Sequence, residues 1–292
     1  MYNVNQYPKS DTYGKEFETV RQFLLKHNES LKYIHFHWSR WEWMFARASF
    51  DVNDLDQILM IYEKDQLVAL LSIEDETGPL FLVYDDVLSL KEYIISYLNK
   101  TNNHADLIIP NDQEMIDLLL NNDYQAMDWF DPVTRFSLDH FDIYEDPDYQ
   151  FVSLEKDYRL DQIHQALWHG FDHKEPIIFS EETLSDRKRI TSSPQFKKSY
   201  TFVAIHNDRY VAYAGIWYQI GTKTALIEPV ATVPEHRKKG LARALIYHAI
   251  AAAQKDGATD IFVGSNRPFY LNMGFAPFDG AGRYKRIKKD SK

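Results

Sequence analysis

Runs of alternating and helically spaced hydrophobic residues divide the second half of the chain into short elements. Period-two alternation with β-branched and aromatic residues predicts strands at 151–158, 200–205, 210–218, 224–233, 261–263 and from 275 onward. Apolar positions at helical spacing predict helices at 160–169, 180–190, 240–255 and 268–273. This order predicts an α/β (α+β) domain with a mixed, mostly antiparallel sheet flanked by helices.

The first half of the chain shows a similar order. Helices are predicted at 17–27, 90–98 and 113–120, and strands at 58–63, 66–73, 80–84 and 105–109. The segment 33–43 is so rich in aromatic residues that it suggests a packed strand, and its two histidines, His35 and His37, are interpreted as packing residues rather than metal ligands. The first half therefore resembles a second copy of the same domain.

An acidic, proline-containing segment at 142–148 separates the two halves. It predicts an N-terminal domain at 1–147 and a C-terminal domain at 148–292. Residues 1–148 carry 11 Lys and Arg against 28 Asp and Glu, and residues 149–292 carry 22 against 15, which gives net charges of −17 and +7. The basic half predicts a positive field for an anionic ligand, although two independently solvated surfaces would have the same composition.

The composition also limits the chemistry. There is no cysteine, so disulfides, thiolate nucleophiles and cysteine-bound zinc are excluded. No run of eighteen apolar residues exists, and the N-terminal sequence lacks the pattern of a signal peptide. We therefore expect a cytoplasmic protein without a membrane partner.

The most informative segment is 230–242, an apolar strand that leads into a basic turn and a helix. Such a turn leaves backbone N–H groups unpaired at the positive end of a helix dipole, and Gly240 has no Cβ to obstruct an anion. Positive charge is added by Arg237, Lys238, Lys239 and Arg243. The pattern predicts a phosphate-binding turn.

Arg237-x-x-Gly240-x-Ala242 resembles the Arg/Gln-x-x-Gly-x-Gly/Ala signature of the GNAT superfamily of N-acetyltransferases. Further along, Tyr270-x-x-x-Gly274-Phe275 resembles the closing element of the same family. The resemblance implies acetyl-CoA as acyl donor, no metal, and a tandem GNAT-like fold if the first half is a copy. The residues it implies for cofactor binding are Ala231, Thr232, Val233, Arg237, Lys238, Lys239, Gly240, Leu241, Ala242, Arg243 and Asn266.

Acetyl transfer to an amine needs a base, because an alkylammonium with a pKa of about 10 cannot attack until it loses a proton. By resemblance, Glu228 is the expected base and Tyr270 the general acid for the coenzyme A thiolate. The backbone N–H of Val233 or Ala231 is expected to polarise the acetyl carbonyl. Pro229 has no N–H, so it should disrupt strand pairing at the place where this family admits the pantetheine arm. Asn266 lies closer to Tyr270 than the family spacing implies.

The first half lacks both motifs. Its turn at 84–88 contains Asp85 and Asp86 and no glycine, so it should repel a pyrophosphate. At the closing element, residues 119–124, a leucine occupies the position of the tyrosine and Asp123 that of the glycine. We therefore expect an N-terminal domain without cofactor binding.

The expected acceptor is a small cationic amine that reacts directly in a ternary complex. Aromatic residues on the acceptor side of this fold would contact it or fill the core: Trp168, Phe171, Tyr213, Trp217 and Tyr218. Two alternatives stay open, a non-catalytic acyl-CoA-binding module and a protein or peptide N-acetyltransferase.

We expect no nucleic-acid partner, and we interpret the basic run 283–292 as a solvated strand end. A homodimer stays open. His164, His169 and His173 are not predicted to bind metal.

Overall fold

The computed structural model describes residues 1–47, 49–74, 78–101 and 105–287. The chain forms two compact units. Unit 1 comprises residues 1–44, 50–133 and 279–292, and unit 2 comprises 45–49 and 134–278. Among the described residues, no helix combines the length and the apolar composition that crossing a membrane requires.

The described residues from 2 to 136 form both strands and helices. In chain order they are β1 (Tyr2–Gln6), α1 (Lys15–Glu29), α2 (Trp38–Ala46), β2 (Leu59–Glu63), β3 (Gln66–Ser72), β4 (Leu80–Tyr84), α3 (Leu88–Lys100), β5 (Leu107–Pro110), α4 (Gln113–Leu120) and β6 (Tyr124–Phe136). In unit 1 the strand order is β1-β2-β3-β4-β5, in which β4 and β5 are parallel and the other neighbours are antiparallel.

The remaining elements repeat this order. They are β7 (Gln150–Ser153), α5 (Leu160–Gly170), α6 (Glu181–Ile190), β8 (Thr201–His206), β9 (Arg209–Tyr218), β10 (Thr224–Thr232), α7 (Leu241–Lys255), β11 (Asp260–Val263), α8 (Pro268–Leu271) and β12 (Phe275–Arg286). In unit 2 the strand order is β7-β8-β9-β10-β11, again with one parallel pair, β10 and β11. The predicted mixed, mostly antiparallel sheet flanked by helices is confirmed.

Each unit is completed by a strand from the other half of the sequence. Residues 281–284 of β12 pair antiparallel with 107–110 of β5 in unit 1. Residues 134–135 of β6 pair antiparallel with 262–263 of β11 in unit 2. Because of this exchange of strands, the two compact units are not the contiguous segments 1–147 and 148–292. The division into functional domains at residue 147 stays a prediction.

Most predicted elements agree with the structure to within a few residues. The turn at Asn207 and Asp208 joins β8 to β9 with both residues in the left-handed region, as a two-residue hairpin requires. The expectation of a strand-like segment at 33–43 is wrong, because it forms a short 3-10 helix at 34–36 followed by α2. Trp38, Trp41 and Phe45 are buried at helical spacing, which outweighs the strand propensity of aromatic residues.

Candidate functional site

Strand β10 parts from β11 partway along its length. It pairs with β11 from Thr224 to Leu226, whereas its pairing with β9 continues to Thr232. The register with β9 shifts between Ile227 and Val230, on either side of Pro229, in agreement with the predicted disruption at this proline. The second half of β10 therefore faces a gap on the β11 side.

The backbone groups that face this gap differ from those predicted. The N–H of Val233 donates to the carbonyl oxygen of Val211 at 2.9 Å, so it is already paired. Hydrogen bonds alternate along an antiparallel pair, so the N–H of Ala231 also points to β9, and the N–H groups of Val230 and Thr232 point to the gap. The expectation that Val233 or Ala231 polarises a carbonyl is corrected accordingly.

The turn after β10 has the backbone conformation of an anion site. Lys238 and Gly240 both have positive φ, at 63° and 80°, and α7 begins immediately afterwards. The N–H groups of residues 241–243 have no acceptor within the helix, whose first bond runs from Ala244 to the Gly240 carbonyl at 3.0 Å. A Cβ placed on Gly240 would meet no atom within 4 Å, so the backbone there is open to a ligand.

A cavity of about 640 Å³ brings this turn together with the closing element. Its lining includes the predicted residues Ala231, Thr232, Arg237, Lys238, Gly240, Leu241, Ala242, Arg243 and Tyr270. The lining also includes Gly170, Phe171, Asp172, Val230, His236, Arg267 and Phe269, which were not predicted as cofactor-binding or catalytic residues. Glu228, Val233, Lys239 and Asn266 do not belong to the lining.

The guanidinium of Arg237 is anchored across one wall of the cavity. Its Nε donates to the carbonyl oxygen of Thr232 at 3.0 Å, and one terminal nitrogen donates to the carbonyl oxygen of Gly170 at 3.0 Å and to Asp172 at 2.8 Å. These bonds tie the end of α5 to the turn after β10. Arg237 therefore has a positioning role in addition to its place in the cavity lining.

Lys239, also predicted to bind the cofactor, is directed elsewhere. Its ammonium donates to the Tyr149 hydroxyl at 2.8 Å and lies 5.4 Å from the centre of that ring. The hydrogen bond to Tyr149 raises the pKa of Lys239. The same hydroxyl lies 3.0 Å from Nδ1 of His236. Lys238 and Arg243, which are exposed, rather than Lys239, add positive charge to the lining.

Tyr270 lies between groups of opposite charge. Burial raises its pKa to about 12, the charge of Glu228 adds to this increase, and the charge of Arg267 opposes it. The Tyr270 ring packs against Phe269 and Phe275, with centroid distances of 4.9 and 5.8 Å, while its hydroxyl makes no hydrogen bond to the described residues. Glu228 and Tyr270 therefore lie close enough to interact electrostatically.

At the end of α5, sequence reasoning named Phe171 as an acceptor-side residue but missed Gly170 and Asp172. A Cβ on Gly170 would lie 2.7 Å from the Cβ of Ala231, so glycine permits the close approach of α5 to β10. Phe171 and Asp172 then enter the cavity lining. The available sequence signal was a glycine at the end of a predicted helix, which indicates a helix terminus and does not reveal the partner strand.

The remaining aromatic and histidine candidates do not line the cavity. Tyr213, Trp217 and Tyr218 are buried in the core, whereas the Trp168 ring stacks on His173 at 4.3 Å. The buried His164 places Nε2 3.0 Å from the carbonyl oxygen of Ile178. Within the described ranges, no group of three or more His, Cys, Asp or Glu residues could hold a metal ion.

The corresponding turn in unit 1 is filled by internal ion pairs. The ammonium of Lys91, which is 2% exposed, lies 2.7 Å from Asp86 and 2.8 Å from both Asp112 and Glu114. Burial alone would lower the pKa of Lys91, but the hydrogen bonds to these three carboxylates raise it above its usual range. The protein thus supplies both the cation and the anions at this turn.

Comparison with known proteins agrees with this geometry. The model of the acetyltransferase (GNAT) family matches residues 158–275. A comparison with curated proteins finds no match. Residues 158–275, which lie within unit 2, therefore form a GNAT domain.

Solved structures extend the likeness to the whole chain. A tandem GNAT protein from the clavulanic acid biosynthesis pathway is similar over 99% of this chain and 99% of its own, with 11% identity and a TM-score of 0.60. A GCN5-related N-acetyltransferase from Sphaerobacter thermophilus is similar over 99% and 96%, with 10% identity and a TM-score of 0.58. A GNAT acetyltransferase from Colwellia psychrerythraea covers 79% and 85%, with 13% identity and a TM-score of 0.51. The whole chain has a tandem GNAT fold.

Proposed function

We propose that the protein is an acetyl-CoA-dependent N-acetyltransferase whose single active site lies in unit 2. The observation that carries this proposal is the cavity that joins the basic turn after β10, the open second half of β10 and Tyr270. A phosphate site, an edge of free N–H groups and an acid at one cavity are the parts that acyl transfer from a CoA thioester requires.

The residues present fit the donor. The N–H groups of residues 241–243 and the side chains of Lys238 and Arg243 would hold the pyrophosphate, with Gly240 allowing close approach. The N–H groups of Val230 and Thr232 would pair with the pantetheine arm and polarise the acetyl carbonyl. When bound, acetyl-CoA supplies the activated acyl group.

Glu228 is proposed to remove a proton from the acceptor ammonium, directly or through a water molecule. The free amine then attacks the thioester carbonyl in a ternary complex, with no acyl-enzyme, since the chain has no cysteine. Tyr270 would donate a hydrogen bond to the departing sulfur. Its raised pKa keeps the phenol protonated at neutral pH, as this role requires.

A small cationic primary amine is the proposed acceptor class. Glu228 is partly buried, its charge acts on Tyr270 and would attract an ammonium group, and the exposed rings of Phe171 and Phe269 line the same cavity as Tyr270. Polyamine-like compounds should be the first class of compounds to screen.

Steady-state kinetics of Glu228→Gln and Tyr270→Phe test the proposal. Each change should lower kcat about 100-fold while leaving the acetyl-CoA Kd within about threefold, because these groups act on the reacting atoms rather than on the phosphates. Tyr144→Phe, at an exposed tyrosine outside the cavity, is the matched control. Unchanged transfer rates in both variants at saturating acceptor would refute the assignment.

A non-catalytic acyl-CoA-binding module would share the phosphate turn but would have no use for Glu228 and Tyr270. Release of free CoA that depends on the acceptor amine separates the two, because a binding module produces none. Slow hydrolysis without acceptor does not separate them. A peptide substrate in place of a small amine would be detected by including peptides in the same acceptor screen.

A further inference from the structure

One cationic side chain of the cavity lies outside the phosphate turn. The charged or titratable groups in the lining are Asp172, His236, Arg237, Lys238, Arg243, Arg267 and Tyr270. Among the described residues of that lining, Asp172 is the only acid, and it is already paired with Arg237 at 2.8 Å. Arg267 therefore has no carboxylate partner in the cavity.

Arg267 belongs to the closing element rather than to the turn after β10. It immediately precedes α8, and its carbonyl oxygen accepts the N–H of Tyr270 at 2.9 Å. Its side chain is exposed and forms no ion pair with the described residues. Arg237 and Lys238 come from the segment between β10 and α7, and Arg243 comes from the first turn of α7, so Arg267 and Tyr270 form a separate group in the same lining.

Tyr270 alone is a weak acid for a leaving thiolate. Its pKa of about 12 lies above the value of about 8.5 for an ordinary thiol. Complete transfer of the phenol proton to the sulfur is therefore unfavourable. Tyr270 can donate a hydrogen bond, but the negative charge stays on the sulfur and needs a cation beside it.

We propose that Arg267 is a further catalytic residue that stabilises the departing CoA thiolate, while Tyr270 donates a hydrogen bond to the same sulfur. This inference rests on the proposed function. Unlike the basic residues of the phosphate turn, Arg267 would act on the reacting end of the donor.

The step balances without another reagent. Glu228 takes one proton from the acceptor ammonium and passes it to solvent. The amine nitrogen forms a bond to the thioester carbonyl carbon, the carbon–sulfur bond breaks, and its electron pair stays on sulfur beside Arg267. The second proton, lost from the nitrogen as the amide forms, neutralises the thiolate before CoA leaves.

The pKa of the CoA thiol bound to the protein tests this role without turnover. It can be followed by the ultraviolet absorbance of the thiolate, with the desulfo-CoA complex subtracted to remove the signal of the protein tyrosines. In the unmodified protein the bound thiol should titrate below about 8.5, and in Arg267→Gln it should rise by about one unit, a tenfold change in the ionisation constant. Arg267→Lys should restore part of the decrease, because it keeps the positive charge.

Kinetics and binding of the same variants distinguish catalysis from phosphate binding. Arg267→Gln should lower kcat about tenfold while the Kd values of CoA and desulfo-CoA change less than about threefold. Equal thiol pKa values in the unmodified protein and Arg267→Gln would overturn the inference. A tenfold loss of affinity for both CoA and desulfo-CoA would also overturn it, since Arg267 would then be a phosphate contact.

Failure of the proposed function gives a different result. If the unmodified protein does not bind CoA, both the function and the role of Arg267 are refuted. If it binds CoA and transfers acetyl groups but the thiol pKa does not depend on Arg267, the inference alone is refuted.

Discussion

The two halves of this chain have the same order of elements, but the equivalent turns differ in how their charges are paired. After β10, the turn leaves N–H groups unpaired at the start of α7 and presents Lys238 and Arg243 to a cavity. After β4, Asp86 is bound by the buried ammonium of Lys91. One turn is open to an external anion, whereas the other is already neutralised from within.

A second pair of equivalent positions shares a backbone conformation but differs in residue type. Gly274 has φ of 90° and its carbonyl oxygen accepts the N–H of Ser137 at 2.9 Å. Asp123 has φ of 62° and its carbonyl oxygen accepts the N–H of Ile287 at 2.7 Å. Aspartate tolerates this conformation better than most residues, so the turn survives without glycine. The same backbone geometry therefore occurs in unit 1 without the basic and glycine residues of the turn in unit 2.

Acidification should produce the largest difference between the units. Burial lowers the pKa of His35 and His37 in unit 1 to about 3, with Arg40 as a smaller cause. The unfolded chain takes up protons near pH 6.5 and the folded unit does not, so this stability is complete above pH 6.5 and is lost as the pH falls toward 3. Between these two pH values, the two histidines together should lower the free energy of unfolding by about 3 kcal/mol for each pH unit of acidification.

Hydrogen exchange at about pH 7 and about pH 5 can measure this loss separately in each unit. Unit 1 should lose protection more steeply than unit 2, and His35→Gln should reduce that dependence. The exposed His140→Gln is the control. Equal acid sensitivity in the two units would contradict the assignment of His35 and His37 as buried neutral groups.

Lys91→Met should destabilise unit 1 by about 3 kcal/mol, because it leaves Asp86, Asp112 and Glu114 without their shared cation. Urea unfolding measures the change. Lys26→Met removes an exposed lysine that lies 3.2 Å from Asp85, and it should change the stability by less than about 0.5 kcal/mol. Similar losses in the two variants would show that Lys91 does not neutralise the turn.

Arg243→Gln should raise the acetyl-CoA Kd about fivefold, since the side chain lines the cavity beside the start of α7. Lys239→Gln, at the other lysine of the same basic run, should change the Kd less than about twofold because its ammonium is bound to Tyr149. Calorimetric titration checks both. A larger effect at Lys239 would mean that it, and not Arg243, faces the phosphates.

Asp172→Asn should tighten acetyl-CoA binding about threefold, by removing the acid of the cavity lining and releasing the Arg237 guanidinium. Asp208→Asn is a matched control, because Asp208 also has positive φ and pairs with an arginine, Arg159, outside the cavity. Weaker binding in Asp172→Asn would instead show that the ion pair positions the site.

The local pattern was sufficient to predict the elements that carry the site. The helix after Gly240, the hairpin at Asn207 and Asp208, and the disruption at Pro229 all depend on residues close together in sequence. The exchange of β6 and β12 was not predicted, because it depends on pairing between distant segments. Strand β1 was missed because it is only five residues long and its alternation rests on two residues, Tyr2 and Val4, which is too short a pattern to predict a strand.

The site itself was predicted in part. The run from Arg237 to Arg243 was sufficient to predict the turn. The direction of each side chain depends on tertiary partners such as Tyr149 and Asp172, which the run does not reveal. Resemblance suggested Asn266, whereas the structure places its neighbour Arg267 in the cavity lining. A shift of one residue at the end of a strand changes which side chain faces a cavity, and spacing in the sequence does not resolve it.

The central claim is that the turn in unit 2 is the cofactor site, and calorimetric titration with acetyl-CoA tests it most directly. The unmodified protein should bind one equivalent with a Kd of about 1–100 μM, and Gly240→Glu should abolish binding by filling the turn with bulk and negative charge. Gly221→Glu is the control, because Gly221 has a similar φ of 89° and equally open surroundings but does not line the cavity. No binding to the unmodified protein, or equal binding to Gly240→Glu, would contradict the claim.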